Sequence, residues 1–228
     1  MNVEKIWIEF EDKETLAEKC ALEIIKLSKE SISRNNIFKI VLAGGSTPVM
    51  TYKILSRIHN DFSKWSIFFG DERFLPENDP DLNYNIAWEA WLKNHQFHSI
   101  NSLPFKSSQK ESVNLETLLK ENTPFDLVLL GMGEDGHTAS LFPGHVHGEN
   151  ELFHYIDNSP KPPAERISLS ARTLSNTENL YFLISGSGKK DAVKKWKSGI
   201  QLPVSSVSSS SPVQIFIDKD ANCEKSEN

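Results

Sequence analysis

Residues 125–144 read Phe125-Asp126-Leu127-Val128-Leu129-Leu130-Gly131-Met132-Gly133-Glu134-Asp135-Gly136-His137-Thr138-Ala139-Ser140-Leu141-Phe142-Pro143-Gly144. The run Leu127 to Leu130 is continuously apolar and is bounded by Asp126 and Gly131. Such a run, without polar alternation, predicts a short strand buried on both faces. Gly131, Gly133 and Gly136 come close behind it, with Glu134, Asp135 and His137 between and after them. Open α/β sheets bind ligands outside the carboxyl ends of their strands. The stretch therefore predicts two acids and a histidine where such a sheet places its chemistry.

The same pattern recurs outward from this stretch. Phe38 to Ala43 is apolar apart from Lys39 and runs into Gly44-Gly45-Ser46-Thr47-Pro48, then into a helical pattern carrying Tyr52, Ile54, Leu55 and Ile58. Pro48 suits a first helical turn, where its missing N–H costs nothing. Backbone N–H groups at a helix start favour an anion such as phosphate. A plain turn with Ser46 or Thr47 as N-cap fits equally well. The G-x-x-x-x-G-K-[ST] phosphate loop is absent. Trp65 to Phe69 is a further strand, and it delivers Asp71, Glu72 and Arg73 after Gly70. Leu180 to Ile184 ends in Ser185-Gly186-Ser187-Gly188-Lys189-Lys190 before a helix with Ala192, Val193 and Trp196. A lysine there is either solvated or meets a phosphate as a point charge.

The remaining elements complete an alternation. Ile6 to Phe10 reads as a first strand, and Asp12 as the cap of a helix through Leu16, Cys20, Ile24 and Leu27. A helix is expected from Asp81 through Leu92, irregular chain from Gln96 to Gln109, and a short helix from Ser112 to Glu121. Leu152 to Ile156 and Arg166 to Ser170 read as short strands, the second alternating polar and apolar residues, and Val213 to Ile217 as the last strand. Strands alternating with helices predict an α/β fold: a mainly parallel sheet with helices on both faces, and a smaller strand-containing subregion. Residues 1–228 are expected to form one domain, with 219–228 a frayed polar tail.

Composition narrows the classes. At 228 residues and net charge −6, the chain is large enough for a real core and too acidic for a general nucleic-acid coat. No apolar run of membrane-spanning length occurs, and the N-terminus lacks the basic start and apolar centre of a signal peptide. Cys20 and Cys223 form no metal or redox spacing, so a reduced, cytoplasmic setting is expected. A monomer or small homo-oligomer is the simplest assembly.

Three readings of the histidine loop fail on its residues. Gly131, Gly133 and Gly136 match G-x-G-x-x-G, but Pro143-Gly144 interrupts the helix that a dinucleotide site needs, and Glu134 and Asp135 would crowd a pyrophosphate. His137, His145 and His147 match no zinc spacing, so no metal is expected. No G-x-S-x-G elbow supports a serine nucleophile. What remains is His137 as general acid or base, oriented by the carboxylate of Asp71 or Asp135. Arg73 could stabilise an oxyanion or fix a substrate oxygen. Gly44 to Thr47, with Lys189 or Arg166, could hold a phosphate. The residues thus point to an enzyme acting on a small phosphorylated molecule through water or proton transfer.

Four motifs carry a resemblance over nearly the whole chain: Leu42 to Pro48, Gly70 to Arg73, Leu130 to Pro143 and Gly186 to Lys189. In these the chain resembles the 6-phosphogluconolactonases, which share a sugar-phosphate superfamily with the glucosamine-6-phosphate deaminases/isomerases. The resemblance implies a Rossmann-like fold of the sugar-phosphate isomerase/lactonase type. The deaminase pattern continues after the histidine as I-A-F-N-E-P and carries D-E-Y at the second motif. This chain has Thr138 to Pro143 and Asp71-Glu72-Arg73, similar to the lactonase version. The implied reaction is hydrolysis of 6-phospho-D-glucono-1,5-lactone, the phosphorylated sugar lactone of the oxidative pentose phosphate pathway, without a cofactor. The implied roles are His137 as activator of water, with Asp71 and Arg73 organising the reacting end. Ser46, Thr47, Arg166 and Lys189 would lie at the phosphate side. The chain departs from the family after Pro80: Leu82 and Asn85 stand where the family commonly has a serine and an arginine.

Overall fold

The computed structural model describes residues 3–104, 109–146, 148 and 150–222. In chain order the elements are β1 (Lys5–Phe10), α1 (Lys13–Asn35), β2 (Phe38–Leu42), α2 (Ser46–Leu55), β3 (Trp65–Phe69), β4 (Asp71–Arg73), α3 (Asn83–Ala90), β5 (Ser99–Ile100), α4 (Gln109–Asn122), β6 (Phe125–Gly131), β7 (Phe153–Ile156), β8 (Arg166–Leu169), α5 (Ala171–Ser175), β9 (Thr177–Ile184), α6 (Lys190–Lys197) and β10 (Val213–Asp218). Short 3₁₀ turns at Leu92–Asn94, Ser187–Lys189 and Pro203–Ser206 join them.

Seven strands form a sheet in the order β1-β10-β9-β6-β2-β3-β5, with every pairing parallel. The apolar run of β6 lies at its centre because it is buried along almost its whole length. Its neighbours are β2, with Val41 opposite Val128, and β9, with Tyr181 opposite Leu129. The three strands that end in glycine turns are therefore adjacent. Their carboxyl ends bring Gly44, Gly131 and Ser185 to one edge of the sheet.

The helices arise from pattern and caps. Leu16, Cys20, Ile24 and Ser28 recur every four residues on α1, and all four are buried. Asp12 caps α1 by accepting from Thr15 N at 2.8 Å, and the helix ends where Asn36 turns left-handed at φ 62°. The buried carboxylate of Asp126 ties three elements together. It accepts from Ser31 Oγ of α1 at 2.5 Å and from Lys39 N of β2 at 2.7 Å.

A second sheet, β4-β8-β7, is antiparallel and matches the smaller subregion expected from the sequence. It begins one residue after β3. Gly70 is the junction: its N–H donates to Leu42 O at 2.9 Å and its carbonyl accepts from Leu169 N at 2.8 Å. Asp71 to Arg73, read as charges after a strand, thus form a strand of their own.

Some boundaries differ from expectation. The helix expected from Asp81 starts at Asn83, and the segment expected to be irregular holds the edge strand β5. Of the tail, Lys219 N donates to Phe10 O at 3.0 Å and Ala221 is fully buried, so the chain is pinned to at least Asn222. The remainder of the tail, Cys223 included, lies outside the described residues. Among the described residues no helix is long and apolar enough to cross a membrane.

Candidate active site

The carboxyl ends of β2, β6 and β9 and the start of the second sheet surround a cavity of about 330 Å³. Of the residues singled out in the sequence, Gly44, Gly45, Ser46, Thr47, Asp71, Arg73, His137, Arg166 and Lys189 all line it. Asp135 stands just behind, bonded to His137.

One wall is the start of α2. Gly45 occupies the N-cap position at φ 102°, a backbone state that disfavours side chains, and no side chain caps the helix. Ser46 and Thr47 are thus the first helical residues, and neither is the N-cap. Ser46 is exposed, whereas Thr47 is buried with Oγ1 at 2.7 Å from Ser185 Oγ. Gly44 has a different reason to lack a side chain: a Cβ there would lie 2.2 Å from Asn83 Oδ1. This wall presents backbone N–H groups and the positive end of a helix, a setting that suits an anion.

Another wall is the histidine loop. Gly133 N donates to His137 O at 2.8 Å and Gly136 N to Gly133 O at 3.0 Å, which folds the loop back over itself. The imidazole lies so close to Gly133 that a Cβ there would be 2.0 Å from Nδ1. Nδ1 is 2.5 Å from Asp135 Oδ1, and that oxygen also accepts from His137 N at 3.2 Å. Of the two carboxylates expected beside the histidine, Asp135 is therefore the partner. With Nδ1 donating to it, Nε2 is left as the acceptor. The ring also packs on Phe142, with centroids 4.8 Å apart. Burial lowers the His137 pKa from its ordinary value, against the raising influence of Asp135, which favours the neutral imidazole. Burial would raise Asp135, but its bonds and charge interaction with His137 outweigh that and hold the carboxyl below its usual range.

Asp71 serves another network. Its Oδ2 accepts from Ser140 Oγ at 2.6 Å, and its Oδ1 and backbone carbonyl accept from Asn83 Nδ2 at 3.2 and 2.9 Å. Glu72 faces away from the cavity and caps α3 from the neighbouring strand, accepting from Asn83 N and Tyr84 N, each at 2.8 Å. Burial pushes its carboxyl up to about 7, despite these backbone donors and that of Arg73. Arg73 Nη1 donates to Asp81 O at 2.5 Å. In the antiparallel pairing of β4 and β8, Arg73 lies directly opposite Arg166, an arrangement of like charges that favours an anion nearby. Arg166 Nη1 is 4.0 Å from Asp71 Oδ2. Burial lowers the pKa of Arg166, and likewise that of Lys189.

Asn83, Thr138, Ala139 and Lys161 are among the cavity residues to which the sequence assigns no site role. Thr138 Oγ1 donates to Gly131 O at 2.8 Å and closes the base of the loop. Ala139 holds φ 46°, uncommon outside glycine. Asn85, one of the departures from the family pattern, donates to Glu77 O and Asp79 O at 2.9 and 2.8 Å and so braces a loop. Leu82, the other, is fully buried at the start of α3. The ring of His145 lies against Phe142, 5.7 Å between centroids, and His147 lies outside the described residues. Among the described residues no three histidine, cysteine or acidic side chains gather as metal ligands do.

Residues 11–216 match the family model of glucosamine-6-phosphate isomerases/6-phosphogluconolactonase, and the chain belongs to that family. A relative from Oryza sativa subsp. indica, named probable 6-phosphogluconolactonase 3, chloroplastic, is 36% identical over 242 residues, covering 93% of this chain and 73% of its own. Among solved structures, a 6-phosphogluconolactonase from Thermotoga maritima aligns with a TM-score of 0.87 at 24% identity, covering 95% of this chain and all (100%) of its own. A monomeric glucosamine-6-phosphate deaminase aligns with a TM-score of 0.80 at 22% identity, covering 94% and 98%. The fold is thus common to proteins bearing both activity names, and the side chains of the cavity must separate them.

Proposed function

We propose that this chain hydrolyses 6-phospho-D-glucono-1,5-lactone to 6-phospho-D-gluconate. The observation that carries the reading is a single cavity lined by His137, itself held on Asp135, by an uncapped helix start and by several cations. A phosphorylated lactone needs both: an anchor for its phosphate and a base for the attacking water. The lactonase-like residues Thr138 to Pro143 and Arg73, and the lactonase name of the rice relative, favour this activity over the deaminase.

In the mechanism, His137 Nε2 takes a proton from water as the water oxygen bonds to C1. The carbonyl becomes an oxyanion, within reach of the cationic side of the cavity. The bond from C1 to the ring oxygen then breaks, and His137 returns the proton to that oxygen as it leaves. Asp135 keeps Nδ1 protonated and stabilises the imidazolium between the two steps. Asp71 and Arg73 organise the reacting end, and Gly44 to Thr47 and Lys189 form the phosphate side, with Arg166 bracing it from β8. Every proton is carried by the chain or by water, and no cofactor enters. A cytoplasmic monomer or small homo-oligomer with no nucleic-acid partner belongs to the same proposal.

The test is lactone hydrolysis coupled to 6-phosphogluconate dehydrogenase, with spontaneous ring opening subtracted. Acceleration well above background supports the reading. Release of ammonia from glucosamine 6-phosphate, without lactone acceleration, would replace it with the sister activity.

A further inference from the structure

Lys161 lines the cavity, yet it sits in a proline-rich loop, and no motif of the sequence points to it. The loop is held rigidly. Ser159 Oγ donates to Lys161 O at 2.8 Å, Lys161 N donates to Ser159 Oγ at 3.2 Å, and Ser159 N donates to Ala164 O at 3.0 Å. Pro160 and Pro162 flank the lysine with fixed φ. Arg166 then clamps the loop from β8. Its Nη2 donates to Lys161 O at 3.2 Å and to Pro162 O at 3.0 Å, and its Nε donates to Pro163 O at 3.1 Å. Arg166 thus commits Nε and Nη2 to backbone carbonyls, with Nη1 turned toward Ser140 and Asp71.

Among the described residues neither Lys161 nor Lys189 has an ion-pair partner. The Lys161 charge bears on Lys189, and the carboxylates of the histidine loop bear on both lysines, Glu134 on Lys189 and Asp135 on each. Two lysines lining one cavity still favour an anion within it. A preorganised loop makes such a contact less costly in ordering entropy than a free lysine would.

We propose that Lys161 is a further substrate-binding cation, taking the substrate's phosphate together with Lys189, and that Arg166 is the positioning residue that holds its loop in place. The proposal rests on the phosphorylated-lactone reading above. The experiment measures lactone turnover, competitive inhibition by inorganic phosphate, and calorimetric binding of 6-phosphogluconate. Lys161→Ala should raise KM and the phosphate inhibition constant together by about 10- to 100-fold, the range of one charge-assisted contact, with kcat falling less than about threefold. Lys161→Arg should recover most of the loss. Arg166→Gln should raise KM alike, and adding Lys161→Ala to it should cost little more, a non-additivity that a purely structural role would not produce. The proposal is overturned if the wild type hydrolyses the lactone and Lys161→Ala leaves KM unchanged, or raises KM without changing phosphate inhibition. If the wild type proves inactive on the lactone but binds 6-phosphogluconate, and Lys161→Ala weakens that binding, the lactonase reading falls and the role of Lys161 stands.

Discussion

Two glycine turns stand side by side at the carboxyl ends of β2 and β6, and they work in opposite ways. After β2 the chain turns through Gly45 directly into α2, so what it presents are backbone N–H donors fixed by the helix. After β6 it enters no helix. It folds back through Gly133 and Gly136 to hold one side chain, His137, against Asp135. Similar sequence, a buried strand leading into glycines, thus yields a helix start that suits an anion in one place and a histidine held on a carboxylate in the other. The difference lies in the residues just beyond the glycines: Pro48 within a helical pattern, against Thr138 to Pro143, which closes a loop.

Substitutions should separate the two. His137→Ala removes the base and should lower kcat by about 100- to 10,000-fold in the coupled assay. The same change of glycine to alanine should then have unlike effects in the two turns. At Gly133 the new Cβ would overlap the imidazole, so kcat should fall by about 100-fold through misplacement of His137, with KM little changed. At Gly44 it would strike Asn83, which binds Asp71 and starts α3. There, KM should rise and thermal stability should fall by about 1–3 kcal/mol, read by melting. Ser46→Ala should be milder still, raising KM by less than about tenfold, because the backbone donors of α2 survive it. If Ser46→Ala instead abolished activity, the hydroxyl and not the helix start would be the anchor.

The smallest effect concerns stability away from the cavity. The folded pKa of Glu72 is raised to about 7 by burial, above the ordinary carboxylate value of 4.5. Between those two values the folded state binds the proton more tightly than the unfolded chain does, so this contribution to stability is full at low pH and is lost as pH rises through about 7. Glu72→Gln should flatten that dependence in melts taken across the window from 4.5 to about 7, bounded by the unfolded and folded pKa of Glu72.

Much of this was legible in the sequence because it rests on predominantly apolar runs, broken only by Lys39 and Ser66. Phe38 to Leu42, Trp65 to Phe69 and Leu127 to Leu130 are buried strands and read as such. By contrast, β4 is three residues of pure charge, Asp71 to Arg73, and β5 is two residues long; neither carries a period to read. Both are strands because a neighbour pairs with them, information that lies far away in the chain. The site divides in the same way. His137 and Asp135 are two residues apart, and their loop announces them. Lys161 reaches the cavity only because β8 pairs with β4 and Arg166 then holds the loop before it. The only local clue was a lysine fixed between two prolines ahead of an alternating strand.

The central claim is that His137 is the base and Asp135 its partner, and the pH profile of kcat/KM tests it most directly. With spontaneous hydrolysis subtracted, the wild type should lose activity only as His137 becomes protonated, with an acid limb below the ordinary histidine value of 6.5. The Asp135 carboxylate raises the His137 pKa, so Asp135→Asn should move that limb to still lower pH while cutting the plateau rate by about 100-fold or more. A limb that stays in place in Asp135→Asn, or that moves to higher pH, would contradict the account.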